Sequence, residues 1–258
     1  MKKGTFFQIN TGRFITIYVV FGIYVVFFSI LAYKIIRRKK QRLNYMISVF
    51  FICTTISLCL NMVYYTITDL TAILILHFFA IFLVCFGAVF ILIVNWIILE
   101  STIIYSEKKQ NRYILFFGIT LFIGMFIFYF LLGEESLGEG NFLGVKATES
   151  GIILAPPFFI FIILIISAFE IIPIIITSIK IYKSFETKTL KKKWFYFLVG
   201  VFGSISLLYI TFINNLINYV KYLGGEEPTF NFIFSLYSMT VIIWVSLMYY
   251  GIGFKLKQ

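Results

Sequence analysis

Seven uninterrupted apolar runs fill almost the whole of this 258-residue chain, at 16–35, 45–65, 71–99, 114–132, 152–181, 195–220 and 230–250. That arrangement leaves few folds open. A hydrocarbon core about 30 Å thick takes roughly 20 apolar residues at about 1.5 Å of helix rise each, and every run is long enough. Within lipid the backbone must satisfy its own donors and acceptors, which only helices and closed barrels do. The runs are continuous rather than alternating, so they are not barrel strands. Their wealth of Ile, Val and Phe carries no sheet signal, because the surroundings override β propensity. With 61% hydrophobic and 13% charged residues, the expectation is all-α: a polytopic bundle of seven transmembrane helices, one membrane domain over 1–258.

Lysine and arginine set the expected orientation. Loops after runs one, three and five, with the tail after run seven, hold 17 of the 22 basic residues, including Arg37, Arg38, Arg42, Lys108, Lys109, Arg112, Lys188, Lys191, Lys192 and Lys193. The other side holds Lys2, Lys3, Arg13, Lys146 and Lys221, with most of the acids, such as Asp69, Glu134, Glu135, Glu139, Glu149, Glu226 and Glu227. The positive-inside rule then puts the first loop and the C-terminus in the cytoplasm and the N-terminus outside. The basic N-terminal tail dissents and is outweighed. Run one is too long for the apolar part of a signal peptide and carries its heaviest charge on the far side, so it reads as a retained helix.

The net charge of +11 would point to nucleic acid in a soluble protein. Here the cations sit at helix ends, where they set topology and meet anionic headgroups, so the expected partner is the bilayer and not nucleic acid. Cys53, Cys59 and Cys85 all lie within apolar runs, with no CxxC and no Cys/His cluster, and read as packing residues rather than a disulfide or metal site. The longest connection, 133–151, is rich in Gly and Glu and reads as a mobile acidic outer loop too short to form a domain.

A polar or ionisable group deep in a span is a functional candidate by default. Glu170 lies in the fifth run, about 6 Å to the cytoplasmic side of its midpoint. Desolvation there favours the neutral acid. Pro173 follows three residues later, removes one helical hydrogen bond and frees the carbonyl of Phe169. Two readings stand: a hinge or proton-linked switch, and a protonated Glu that ties neighbouring helices together. His77 enters the third run about 10 Å from its outer end, with Asn61 at similar depth on the second. Asn214, Asn215 and Asn218 fall in the outer half of the sixth run, and Ser235, Tyr237 and Ser238 in the outer half of the seventh. Polar clusters at one depth fit an outward-facing ligand cavity, and they equally fit interhelical hydrogen bonding. Pro156 and Pro157 mark a helix start, where the missing N–H costs little. Asn95 and Trp96 lie near the inner interface, and the aromatic excess reads as lipid-facing bulk and interface anchors.

Several classes are excluded. A retinal protein needs a lysine within its seventh helix, and 230–251 has none. The Asp-Arg-Tyr and Asn-Pro-x-x-Tyr signatures of animal seven-helix receptors are missing, with Asn-Trp-Ile-Ile-Leu-Glu and Met-Tyr-Tyr-Gly in their places. No His-Glu-x-x-His, Gly-x-Ser-x-Gly or paired carboxylates occur, so no enzyme is expected and no cofactor is implied. His77 and Glu170 are separated by about 25 Å in depth, too far to share an active site.

The second half carries an ordered set of features: Gly-Val-Lys-Ala-Thr-Glu-Ser-Gly (144–151) before run five, the basic linker 188–193, Phe-Ile-Asn-Asn-Leu-Ile (212–217), Gly-Gly-Glu-Glu-Pro-Thr (224–229) and the exit Tyr-Gly-Ile-Gly-Phe (250–254). This order resembles the N-terminal seven-transmembrane sensor region of histidine kinases, in which an Asn-rich stretch ends span six and a short loop with an acid, Thr and Pro precedes span seven. A kinase core follows the last helix in that family. The resemblance therefore implies a stand-alone, receptor-like sensor of the cell membrane that signals through a separate cytoplasmic protein. Its switch would be Glu170 and Pro173, and its ligand would meet Asn61, His77, Asn214, Asn215, Ser235 and Ser238. The competing class is a small-solute or ion transporter, or a channel subunit, with Glu170 as a relay.

Overall fold

A computed structural model describes residues 14–38, 41–99, 106–131, 144–148, 151–225, 237 and 239–252. Six helices are long and apolar enough to cross a membrane: α1 (Ile17–Arg38), α2 (Arg42–Tyr64), α3 (Leu70–Leu99), α4 (Glu107–Leu131), α5 (Pro156–Ser184) and α6 (Lys188–Leu223). A shorter helix, α7 (Val241–Ile252), packs along α6. Between their charged ends these helices expose many large apolar side chains, among them Val26, Leu115, Leu164, Val220 and Ile243. A soluble bundle would turn polar residues outward there. The protein is a helical, multi-pass membrane protein by length and composition.

Helix α3 lies at the centre. It contacts α2, α4 and α5, and its successive residues Leu92, Ile93, Val94 and Asn95 are all fully buried. A helix that is apolar all round meets protein or lipid on every side, and α3 is the most buried of the six. Its start is fixed by Asp69, whose carboxylate accepts the Ala72 N–H at 2.8 Å, one turn after the 65–69 connection from α2. Helix α5 starts at the proline pair, with Pro156 in its first turn and Ala155 extended at φ −68° and ψ 148°. Helices α6 and α7 approach closely at small residues. A Cβ on Gly200 would lie 2.4 Å from the Trp244 carbonyl oxygen, so only glycine lets the two backbones meet there.

The antiparallel order gathers the basic helix ends at one end of the bundle. Arg42 at the start of α2 donates to Gln110 Oε1 (2.9 Å) and Asn111 Oδ1 (2.7 Å) in α4 and pairs with Glu107 at 3.4 Å. Arg38 at the end of α1 lies over the Tyr249 ring of α7 at 4.4 Å. Trp194 at the start of α6 donates to the Ser178 carbonyl near the end of α5 at 3.0 Å.

The opposite end holds the main departure from expectation. Val145–Thr148 (β1) and Gly151–Leu154 (β2) form an antiparallel hairpin, paired Val145 with Leu154 and Thr148 with Gly151. Part of the connection read as a loop is therefore ordered strand, and 152–154 precede α5 as strand rather than as helix. Residues 133–143 lie outside the described residues. The hairpin caps the bundle: β1 rests on α3, β2 on α6, and Val145, Ile153, Leu154 and Ala155 are fully or almost fully buried. Gly144 allows this seating. Its N–H donates to the Tyr129 carbonyl at 3.2 Å, and a Cβ there would come within 1.9 Å of the Phe128 oxygen.

Candidate functional site

Glu170 sits in a single π-helical turn, Ser167–Ile171, in the middle of α5. There the Ile172 N–H reaches back five residues to the Ser167 carbonyl. Two residues after that turn ends, Pro173 withholds the amide that would have bonded Phe169. The freed Phe169 carbonyl accepts the Tyr113 hydroxyl of α4 instead. One turn away the Ser167 and Tyr209 hydroxyls join α5 to α6 at 2.5 Å, and the Phe169 ring packs on Phe116 and Phe117. The backbone irregularity is thus braced from two sides. Single π turns cluster at functional positions because they displace one residue from the regular ladder.

The displaced residue is the acid. Glu170 is 0% exposed, and neither carboxyl oxygen has a hydrogen-bond partner. The Cys85 thiol of α3 and the Tyr113 phenol lie within electrostatic reach of it. A carboxyl group offers up to four acceptor sites, or a donor besides when protonated. Leaving such a group unpaired in a dry interior costs about 1–3 kcal/mol, and more if it is charged. Tyr113 satisfies the carbonyl that Pro173 frees, whereas the carboxyl beside it has no partner.

Below it, toward the basic end, the same α3–α5 interface holds a second polar group. Asn95 Nδ2 lies 2.9 Å from Thr177 Oγ1, 2.8 Å from Ser178 Oγ and 3.3 Å from the Ile174 carbonyl, while its Oδ1 has no partner. Glu170, Ile174, Thr177 and Ser178 follow one another at helical spacing, so both unpartnered groups face the α3–α5 seam.

The outer candidates behave otherwise. His77 Nδ1 lies 3.0 Å from the Tyr129 hydroxyl, which donates to the Leu74 carbonyl at 2.9 Å. A phenol has one hydrogen, so His77 Nδ1 is the donor to Tyr129 and Nε2 is the bare nitrogen. Tyr64 sets its ring edge-on to His77 at 5.7 Å and donates its hydroxyl to Asn61 Oδ1 at 2.8 Å; Asn61 in turn donates to the Ser57 carbonyl at 3.0 Å. Asn61 and His77 are therefore brought together through Tyr64. Asn215 Oδ1 accepts the Leu154 N–H at 3.0 Å and anchors the hairpin. Asn214 is half-buried on α6. Ser235 and Ser238 lie outside the described residues, and Tyr237 meets Ser206 at 2.7 Å. The hairpin packs at the end of the bundle that carries these residues.

Sequence reasoning placed Glu170, Pro173 and the freed Phe169 carbonyl but missed Tyr113, Tyr129 and Tyr209, which it counted with the lipid-facing aromatics. Nothing in their local sequence separates them from anchors such as Tyr33. No group of three or more His, Cys, Asp or Glu side chains that would hold a metal occurs among the described residues. Compared with known proteins, the chain matches no family model, no curated protein and no solved structure.

Proposed function

We propose that this protein is a receptor-like or sensory membrane module in which the Glu170–Pro173 segment of α5 is the switch. It works without catalysis and signals through a separate cytoplasmic protein. In this reading residues 230–250 make a seventh span, the N-terminus is outside and the basic end of the bundle faces the cytoplasm of the cell membrane. The clustering of cations at one end supports that orientation.

One observation carries the proposal: the buried Glu170 carboxyl is unpartnered, although the carbonyl freed by Pro173 in the same turn has a donor in Tyr113. A group that costs free energy in one packing favours any second packing that gives it a partner or water. That is the property of a two-state element. An outer signal would reach it through the hairpin, which holds both Asn215 and the end of α4 beside His77 and Asn61.

The same carboxyl supports a second reading, a transporter or channel subunit with Glu170 as proton relay. The two separate in liposomes that hold a pH-sensitive dye and carry an imposed pH gradient and potential. The sensor reading expects no protein-dependent proton flux. A flux carried by the native protein and lost in Glu170→Gln replaces it with the transport reading.

A further inference from the structure

We propose that the lipid-facing groove between α3 and α4 is a site for one anionic phospholipid, with its phosphate at the basic end and an acyl chain along the groove. The groove has a volume of about 670 Å³. Its floor is aromatic: Phe82 and Phe86 stack at 5.5 Å with 6° between their planes, and Phe122 stands edge-on to Phe82 at 5.5 Å. Gly118 keeps it open, since a Cβ there would already press to 2.9 Å from the Phe86 ring. Asn111 is the polar residue of the lining.

Chemistry and length both select the occupant. Asn111 is at the basic end, where its Oδ1 is held by Arg42 at 2.7 Å. Lys108 and Arg112 are exposed, and with Leu115 and Ile119 they repeat at the spacing of one helical face. The acid beside them, Glu107, is engaged by Arg42 at 3.4 Å, and no described acid pairs with Lys108 or Arg112. The groove therefore opens, at one end only, onto a surplus of positive charge. From Asn111 to Ile123 it runs about 18 Å along α4, a little more than half of the roughly 30 Å hydrocarbon core. That is the reach of one leaflet's acyl chain below a headgroup. A second apolar groove, of about 540 Å³ on α1 from Tyr18 to Ile30, stops a helical turn short of the first cation of that helix, Lys34, and represents ordinary lipid contact.

The test is native mass spectrometry of the full chain in neutral detergent, with phosphatidylglycerol and phosphatidylcholine of identical acyl chains. The native protein is expected to keep one phosphatidylglycerol with roughly thirtyfold preference, the scale set by two interfacial cations. The double variant K108Q/R112Q, altered only at exposed side chains, should bind the two lipids alike. Leu115→Trp, at a lipid-facing position, should lower retention of both, whereas Val26→Trp on α1 should change neither. Glu170→Gln should also leave the preference intact, so this site and the switch stand or fall separately. Equal retention of the two lipids by the native protein overturns the proposal. So does a preference that survives K108Q/R112Q, or a phosphatidylglycerol adduct indifferent to Leu115→Trp.

Discussion

His77 and Glu170 are both rare polar guests in an apolar bundle, yet their surroundings treat them in opposite ways. His77 closes a chain of hydrogen bonds that runs through Tyr129 to the Leu74 carbonyl, and Tyr64 ties it by ring contact to Asn61. Glu170 is more deeply buried and bonds to nothing. The outer cluster is fastened from several helices. The mid-membrane acid is enclosed without being fastened. In lipid, where an interhelical hydrogen bond contributes only about 0.6 kcal/mol on average, a satisfied cluster holds helices together modestly. An unsatisfied one works against the packing that encloses it. The contrast separates residues that maintain this arrangement from the one that would gain by leaving it.

Four substitutions can break or sharpen that contrast, each read as unfolding free energy in mixed detergent–SDS micelles. Glu170→Met should have the largest effect and the unusual sign, stabilising the protein by about 1–3 kcal/mol because an unpaired polar group is replaced by a thioether of similar length. A loss of similar size would mean the carboxyl has a partner. Tyr129→Phe, which deletes the hydroxyl that both His77 and Leu74 use, should cost about 1–2 kcal/mol. No loss there would remove the distinction from the outer side. Tyr113→Phe should cost about 0.6 kcal/mol overall while speeding amide exchange in the turn around Ile172, since the Phe169 carbonyl loses its donor. Asn215→Ala should be smallest globally, at about 0.5 kcal/mol, and its signature should be faster exchange at the Leu154 amide alone.

Much of the fold was legible because it follows from solvent. Continuous apolar runs of bilayer length have to be helices, and the six long helices lie where the runs do. Pro156 and Pro173 were readable for a covalent reason: a missing N–H permits a helix start in one place and frees a carbonyl in the other. The partner of that carbonyl was not readable, because Tyr113 is 56 residues away and looks like any interfacial tyrosine. The hairpin escaped for a different reason. Ile152, Ile153 and Leu154 join smoothly in composition to the apolar run that follows, and only Gly144 and Gly151, with β-branched residues between and after them, hinted at strands. Asn61 and His77 read as lying at similar depth by helix rise, and Tyr64 links the two. Asn95 reads from the sequence only as lying near the inner interface with Trp96, whereas Thr177 and Ser178 bring three polar side chains together across α3 and α5.

The central claim is that the inner half of α5 has two packings and that the Glu170 carboxyl selects between them. Genetically encoded spin labels at Lys109 on α4 and Ser184 at the end of α5, both exposed at the basic end, report that geometry by pulsed electron–electron resonance in lipid nanodiscs. The account predicts two distance populations in the native protein, and only one of them in Glu170→Met, which lacks the unpartnered carboxyl. A single distribution shared by the native protein and the variant would contradict it.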